Sequence, residues 1–247
     1  MAWQSPKTNW QPADGVRDTD FNRIEGNILE LYNGSKVNND ITLYVRETGS
    51  DLIGDGSTAA PYRTITKALS TIPKNLSGKT VLVYVQTGSY DEDVVVNGYS
   101  NGRIVITGYS GHLATIRSLV INSSICDIRT VDIHTTTGGV TVNNGSTLIC
   151  TGDITCVGGG TKGLHVLGCS SCHISGRLTV DNAAAIIQAS SASSAFVRQI
   201  SGTGSANAII AEEGSTVSYT LNNSTVTAAA FVTRTGGRIN TGSGGTA

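Results

Sequence analysis

The chain has 247 residues, 30 of them glycine, and a net charge of −1, with only 14% charged residues. This balance excludes the basic surface that binds nucleic acid, and no apolar run approaches the roughly 20 residues that cross a bilayer. Val, Ile and Thr interrupted by Gly, Asn and Ser are typical of short strands joined by tight turns, so we expect an all-β protein without nucleic-acid partners or membrane insertion.

The N-terminal segment, residues 1–40, differs in pattern from the rest of the chain. Its first residues carry neither the basic nor the apolar stretch of a secretion signal, so we expect the protein to be made in the cytoplasm. The opening is irregular up to Gly15 and contains both tryptophans, Trp3 and Trp10. We expect this segment to serve attachment and oligomerisation.

A helix is predicted from Asp18 or Thr19 to about Tyr32. Its apolar residues fall at spacings of three, four and three, the a/d pattern of a coiled coil: Phe21, Ile24, Ile28 and Leu31. Isoleucine at such positions is compatible with three strands, and so short a helix is marginally stable alone. We therefore expect these residues and the two tryptophans to form an attachment and oligomer interface, with a homotrimer as the assembly. The alternative is an amphipathic helix folded back onto its own domain.

Residues 41–80 are predicted to form a strand, a loop and a short helix. Strand 41–45 alternates and is β-branched, loop 49–56 is rich in turn residues, and the helix begins near Pro61 and ends at Pro73. One face of this helix is apolar: Ile65, Ala68, Leu69 and Ile72. Such a helix can cover the open end of a stack of strands, whose exposed edge would otherwise invite pairing. The alternative is an ordinary connection between a helix and a strand.

Residues 81–247 carry a repeat with a period in the low twenties. Similar openings lie 24, 22, 23 and 22 residues apart and are each followed by a polar turn and a second strand: Gly139, Gly163, Ala185, Ala208 and Ala230. An earlier coil opens at Ser118. Several strands per period without a helix predict a right-handed parallel β-helix, in which equivalent residues stack about 4.8 Å apart. Helix-containing solenoids are the alternative, and their period is missing here.

Two stretches carry resemblances to known families. The succession of Pro61-Tyr62-Arg63-Thr64-Ile65, strand 81–85 and Gly88-Ser89-Tyr90-Asp91-Glu92 resembles the start of pectate-lyase-like β-helix proteins, which implies that fold with a capping helix over residues 41–247. Pro6-Lys7-Thr8-Asn9-Trp10 together with residues 20–28 is similar to the N-terminal segment of tail-fibre and baseplate-associated proteins from phages and phage-like particles of Gram-positive bacteria. This second resemblance implies a place in the virion or particle, attachment to a tail or baseplate as a homotrimer, and a β-helix that binds or cleaves cell-surface glycans.

A glycan-cleaving site needs paired carboxylates roughly 5–10 Å apart. The candidates are Asp127 with Asp132, Asp153, Asp181, and Glu212 with Glu213. The first pair has odd spacing, which places the two on opposite faces of a strand, and the last pair falls in a predicted turn. We leave the catalytic residues unassigned and expect a structural tailspike-type protein whose shaft recognises the host surface. A polysaccharide lyase or hydrolase on the same fold is the alternative.

Glycan binding usually uses the faces of aromatic rings. After residue 112 the only aromatic residues are Phe196, Tyr219 and Phe231, so the coils offer few ring platforms. The earlier tyrosines are the candidates for contact with host cell-surface glycan: Tyr90, Tyr99 and Tyr109.

The cysteines number five, and an odd number in a cytoplasmic product argues against a disulfide framework: Cys126, Cys150, Cys156, Cys169 and Cys172. Residues 169–173 match the spacing of haem attachment, and the same thiols with His165 or His173 could bind zinc. The repeat alignment makes Cys169-Ser170-Ser171 a turn between strands. We therefore expect buried thiols, no cofactor and no metal.

Overall fold

The structure is a computed structural model that describes residues 4–5, 7–11, 13–157, 162–219, 226–227 and 231–241. These residues contain helices α1 (Asp18–Gly34) and α2 (Ile65–Ser70). The described strands all pair in parallel: β1 (Ile41–Val45), β2 (Asn75–Val85), β3 (Gly88–Ser89), β4 (Asp93–Asn97), β5 (Ser100–Ile116), β6 (Ser118–Asn122), β7 (Ile125–Thr135), β8 (Val140–Asn143), β9 (Thr147–Cys150), β10 (Ile154–Val157), β11 (Lys162–Val166), β12 (Ser171–Ala189), β13 (Ser194–Ala211), β14 (Thr216–Tyr219), β15 (Val226–Thr227), β16 (Phe231–Thr233) and β17 (Arg238–Thr241).

The strands form three parallel sheets, because the chain returns to the same three positions in every coil. Sheet 1 contains β1, β2, β9, β14, β17 and the first parts of β5, β7, β12 and β13. Sheet 2 contains β3, β10, β15 and later parts of the same four long strands. Sheet 3 contains β4, β6, β8, β11, β16 and the ends of β12 and β13. The predicted parallel β-helix is confirmed.

The core runs along the axis of this stack. The inward positions of sheet 1 recur every 22 to 24 residues: Val81, Ile104, Cys126, Leu148, Cys172, Ala195, Val217 and Ile239. All of these except the partly buried Ile239 are buried in one cluster with the inward residues of the other two sheets. One coil cannot bury its apolar side alone, whereas neighbouring coils bury one another.

One predicted opening is wrong by a residue. The register places Ile187 beside Leu164 of the preceding coil, so the opening predicted at Ala185 begins at Ile186 instead. Ile186 and Ile187 are both buried, and the register shifts just before them. The alternation of apolar and polar residues therefore could not show which of the two lies beside Leu164 of the preceding coil. The other described openings agree with the register, and Ala230 lies outside the described residues.

The stack begins before residue 81. β1 pairs along its whole length with β2 and is therefore already a strand of sheet 1. Its other edge is covered by the following loop: Tyr44 N donates to Gly56 O at 2.8 Å, and Tyr62 N donates to Tyr44 O at 2.9 Å. This loop satisfies edge groups that would otherwise attract another strand.

Helix α2 completes the cover, as predicted, with Ile65, Ala68 and Leu69 buried. It begins four residues after Pro61, because Thr64 is its N-cap and accepts a hydrogen bond from Lys67 N at 3.1 Å. The helix packs against β1, β2 and β4.

A ladder of buried serines lies at the turn from sheet 3 to sheet 1. The backbone N–H of each serine except the last donates to the hydroxyl of the serine one coil further on, at 3.0 to 3.3 Å: Ser124, Ser146, Ser170, Ser193 and Ser215. A buried N–H without a partner would cost about 1–3 kcal/mol. The small polar turns of the sequence are therefore structural links between coils.

Candidate functional site

The predicted seam of α1 is exposed. Phe21, Ile24, Ile28 and Leu31 are 57%, 47%, 59% and 62% exposed. The helix begins at Asp18 after the N-cap Arg17, and it ends at Gly34. Unlike α2, it has no comparable packing against any strand in the described part of the chain. The structure therefore leaves four large apolar side chains of one helix in solvent.

The residues before α1 lie along it. The side-chain amide of Asn27 accepts a hydrogen bond from Gln4 N and donates one to Gln4 O, both at 2.9 Å. Trp10 is 41% exposed, and the ammonium group of Lys7 lies 4.1 Å from the centre of its ring. Trp3 lies outside the described residues. Neither described helix is long and apolar enough to span a membrane.

The tyrosines proposed for glycan contact are placed differently from the prediction. Tyr90 and Tyr99 are buried, and their hydroxyls donate to Gln86 O and Leu69 O, each at 2.5 Å. Burial raises the pKa of Tyr99 to about 12 and raises that of Tyr90 as well. Their rings pack in the core beneath the cap, where a glycan does not reach them. The side chain of Tyr109 lies outside the described residues.

The candidate acids contact neighbouring coils. Asp132 Oδ1 accepts a hydrogen bond from Asp153 N at 2.8 Å, and Asp153 Oδ1 accepts one from Arg177 N at 2.7 Å. Glu212 accepts a hydrogen bond from a side-chain amide one coil earlier, and Glu213 accepts one from a serine there. These four acids have the contacts of groups that link coils, and none of the contacts identifies a catalytic acid.

The cysteines occupy core positions with one exception. Cys126, Cys150 and Cys172 point inward from sheet 1, and burial raises the pKa of the Cys150 thiol to about 12. Cys169 is exposed in a turn with φ of 59°. His173 points outward, away from its neighbour Cys172. Within the described residues, no three His, Cys, Asp or Glu side chains lie together as a metal site.

The outward positions of sheet 1 form two columns of side chains, which we call the outer face of sheet 1. The first column is Thr80, Arg103, Ile125, Thr147, Ser171, Ser194, Thr216 and Arg238. The second column is Leu82, Val105, Asp127, Ile149, His173, Phe196, Ser218 and Asn240. Both columns run along the axis of the β-helix.

The middle of the outer face is a shallow groove of about 370 Å³ that spans four coils. Ile149 and Phe196 are each 37% exposed in it, and the rings of His173 and Phe196 lie 4.6 Å apart between centroids. The hydroxyls of Thr147 and Ser171 lie 3.1 Å apart in the neighbouring column. The apolar strip can pack against the ring of a ligand, and the row of hydroxyls beside it can exchange hydrogen bonds with the same ligand.

Charge lies at the ends of this groove. The guanidinium groups of Arg103 and Arg129 donate to Asp127 Oδ2 at 3.1 and 2.5 Å. The Asp127 side chain is 1% exposed, whereas those of Arg103 and Arg129 are 46% and 49% exposed. Asp127 Oδ1 is buried and has no hydrogen-bond partner within the described part of the chain. The buried carboxylate therefore orients two guanidinium groups that still face solvent, and Arg238 is exposed at the other end.

The sequence contained a signal for this groove that counting aromatic residues missed. Asp127, Ile149, His173, Phe196 and Ser218 follow one another at the coil period, so the repeat applied to outward positions would have placed them in one column. Comparison of the chain with models of protein families, with curated proteins and with solved structures finds no match to any of them.

Proposed function

We propose that the protein is a tail-fibre or tailspike component of a phage or phage-like particle. Helix α1 joins copies of the chain into a homotrimer and attaches them to the tail or baseplate. The β-helix projects as a shaft that recognises the host cell surface. The observation that supports this proposal is the exposed apolar face of α1, in a chain whose β-helix buries its own core.

Self-association follows from the cost of leaving that face in water. Each large apolar side chain gains about 1.5–3 kcal/mol when fully buried, and α1 exposes four at coiled-coil spacing. The described strands do not cover them. A second and third copy of the same helix present the same spacing, so they fit this face without any other partner.

The stack suits a shaft. Every described coil is joined to the next by parallel strand pairing, and the five coils that carry Ser124 to Ser215 are also joined by the serine ladder. Nine strands of sheet 1 at the usual strand spacing give a length of roughly 40 Å. A recognition surface placed along such a shaft stands away from the point of attachment.

The double variant Ile24→Asp/Ile28→Asp tests the association. We expect the unmodified chain to be a trimer in multi-angle light scattering and the variant to be a monomer, because a charge in the seam loses its hydration on association. Thr19→Asp/Asn22→Asp is the matched control: it adds the same charge to exposed positions off the seam and should remain a trimer.

A monodisperse monomer for the unmodified chain would contradict the proposal. Attachment is tested separately by immunogold electron microscopy of the particles. Label at the tail tip or baseplate supports the proposal, and label confined to free protein contradicts it.

A further inference from the structure

We infer that the outer face of sheet 1 binds a linear, acidic polysaccharide that lies along the axis of the β-helix. Its sugar rings contact the column of Ile149, His173 and Phe196, and its carboxylates pair with the arginines at the two ends. The inference rests on the proposed role in host recognition and names the site and the class of ligand.

The repeat of the face fits a polymer. Each coil contributes one side chain to each column, and successive coils are about 4.8 Å apart. This step is close to the length of one sugar residue in an extended polysaccharide. Each successive sugar of a polysaccharide that lies along the columns therefore contacts an equivalent position of the protein.

The middle of the groove provides apolar contact. Phe196 and Ile149 remain more than a third exposed on an outward face, and the ring of His173 between them lies 4.6 Å from that of Phe196, tilted by 35°. Ring faces of this kind pack against the C–H faces of sugars, and aromatic contacts contribute about 0.5–1.5 kcal/mol beyond the burial of area. The contact is continuous over three coils.

The neighbouring column provides polar contact. Thr147, Ser171, Ser194 and Thr216 place one hydroxyl on each of four successive coils beside the apolar strip. A hydroxyl both donates and accepts, so a row of them matches the hydroxyls along the edge of a sugar chain. Single-stranded nucleic acid is bound through repeated aromatic platforms for its bases, whereas this column holds one phenyl ring and one imidazole.

The charge of the face selects an acidic polymer. The whole chain has 17 basic and 18 acidic residues. On the outward positions of sheet 1, Arg103, Arg129 and Arg238 outnumber the nearby described carboxylates, which are Asp127 and, beside Thr80 at the start of the first column, Asp40. Guanidinium groups bind carboxylates through paired hydrogen bonds. Asp127 is a positioning residue here, since it holds two of the arginines in place and is itself buried.

The test is isothermal titration calorimetry of the full chain with a six-sugar uronate oligomer prepared from alginate. We expect the uronate hexamer to bind with an affinity that falls as the salt concentration rises. A neutral glucose hexamer should bind more weakly. Phe196→Ala should weaken binding about tenfold and Arg238→Gln about threefold to fivefold. Both side chains are exposed, so neither variant removes a core residue.

Matched controls lie away from sheet 1, on sheet 3 and just before it. Val95→Ala removes an exposed outward apolar side chain, and Arg117→Gln removes a half-exposed arginine that pairs with Asp93. Both should bind the hexamer as the unmodified chain does. The inference is overturned if the uronate does not bind, if the controls weaken binding as much as the test variants, or if a six-phosphate oligonucleotide binds equally well and is equally sensitive to Phe196→Ala.

The two proposals fail separately. The seam variant Ile24→Asp/Ile28→Asp should bind the short hexamer with unchanged affinity per chain, because the groove lies within one chain. Loss of the trimer with intact binding supports both proposals. A seam variant that stays trimeric contradicts the proposed assembly and leaves the groove assignment standing.

Discussion

Serine at the turn from sheet 3 to sheet 1 shows how a single residue type links coils. In Ser193, the hydroxyl accepts a hydrogen bond from Ser170 N at 3.2 Å, and the backbone N–H donates to Ser215 Oγ at 3.0 Å. Side chains with no hydroxyl would fill the same space but leave a buried N–H unpaired. The position therefore selects serine for its hydroxyl as much as for its size.

We predict that Ser193→Ala lowers the stability of the protein by about 1–3 kcal/mol, because Ser170 N loses its buried acceptor. In thermal unfolding followed by circular dichroism, this corresponds to a midpoint lower by roughly 2–6 °C. The neighbouring Ser194→Ala is the control, since Ser194 is exposed and outside the ladder. Equal midpoints for the two variants would show that the ladder does not stabilise the stack.

At the level of elements, α2 is held in place by acids from outside the helix. Glu92 accepts hydrogen bonds from Ile65 N at 2.7 Å and Thr66 N at 2.9 Å. Asp51 accepts hydrogen bonds from Arg63 N and Thr64 N. The first turn of a helix has N–H groups without partners and a positive end, so both carboxylates stabilise it. They join the cap to the loop before it and to the first coils after it.

We predict that Glu92→Ala destabilises the cap by about 1–2 kcal/mol, since two N–H groups lose a charged acceptor. Hydrogen–deuterium exchange should become faster in α2 and in the loop that covers β1. Asp91→Ala, one residue earlier, is the control: its side chain is 87% exposed and pairs with Arg117 at 3.8 Å. Unchanged exchange in the Glu92 variant would contradict the assignment.

The elements were largely predictable from sequence, and their partners were less so. The periodicity of α1 and α2 and the alternation of the strands gave both helices and the repeat. That β1 belongs to sheet 1 could not be inferred, because its pairing with β2 joins residues 40 apart and leaves no periodic trace. Tyr90 and Tyr99 were misplaced because a tyrosine pattern does not distinguish an exposed ring from one buried beneath a cap.

At the scale of the whole molecule, stability is the sum of contacts between neighbouring coils, as in other solenoids. The register puts Ala195 directly beside Cys172, so residues 172–194 form one complete coil. The outer face of sheet 1 was predictable in principle, because its residues follow one another at the coil period. Counting aromatic residues missed it, since an apolar strip of this face combines Ile149, His173 and Phe196.

We predict that deletion of residues 172–194, which joins Ser171 to Ala195, yields a folded and shorter β-helix. Every remaining strand keeps an equivalent neighbour, so circular dichroism should retain the β-sheet spectrum with a modestly lower thermal midpoint. Deletion of residues 172–183 is the control, because it removes about half a coil and brings strands of different sheets together. Folding of both deletions, or of neither, would contradict a stack of independent coils.

The regular coil also has a consequence for how such a protein changes over generations. An in-frame duplication or loss of the DNA that encodes one coil alters the reach of the molecule by one strand spacing and leaves both ends intact. If the β-helix is the proposed shaft, its reach is inherited in fixed steps of one coil. Each added coil between Arg129 and Arg238 would also lengthen the stretch of polysaccharide that the outer face of sheet 1 contacts.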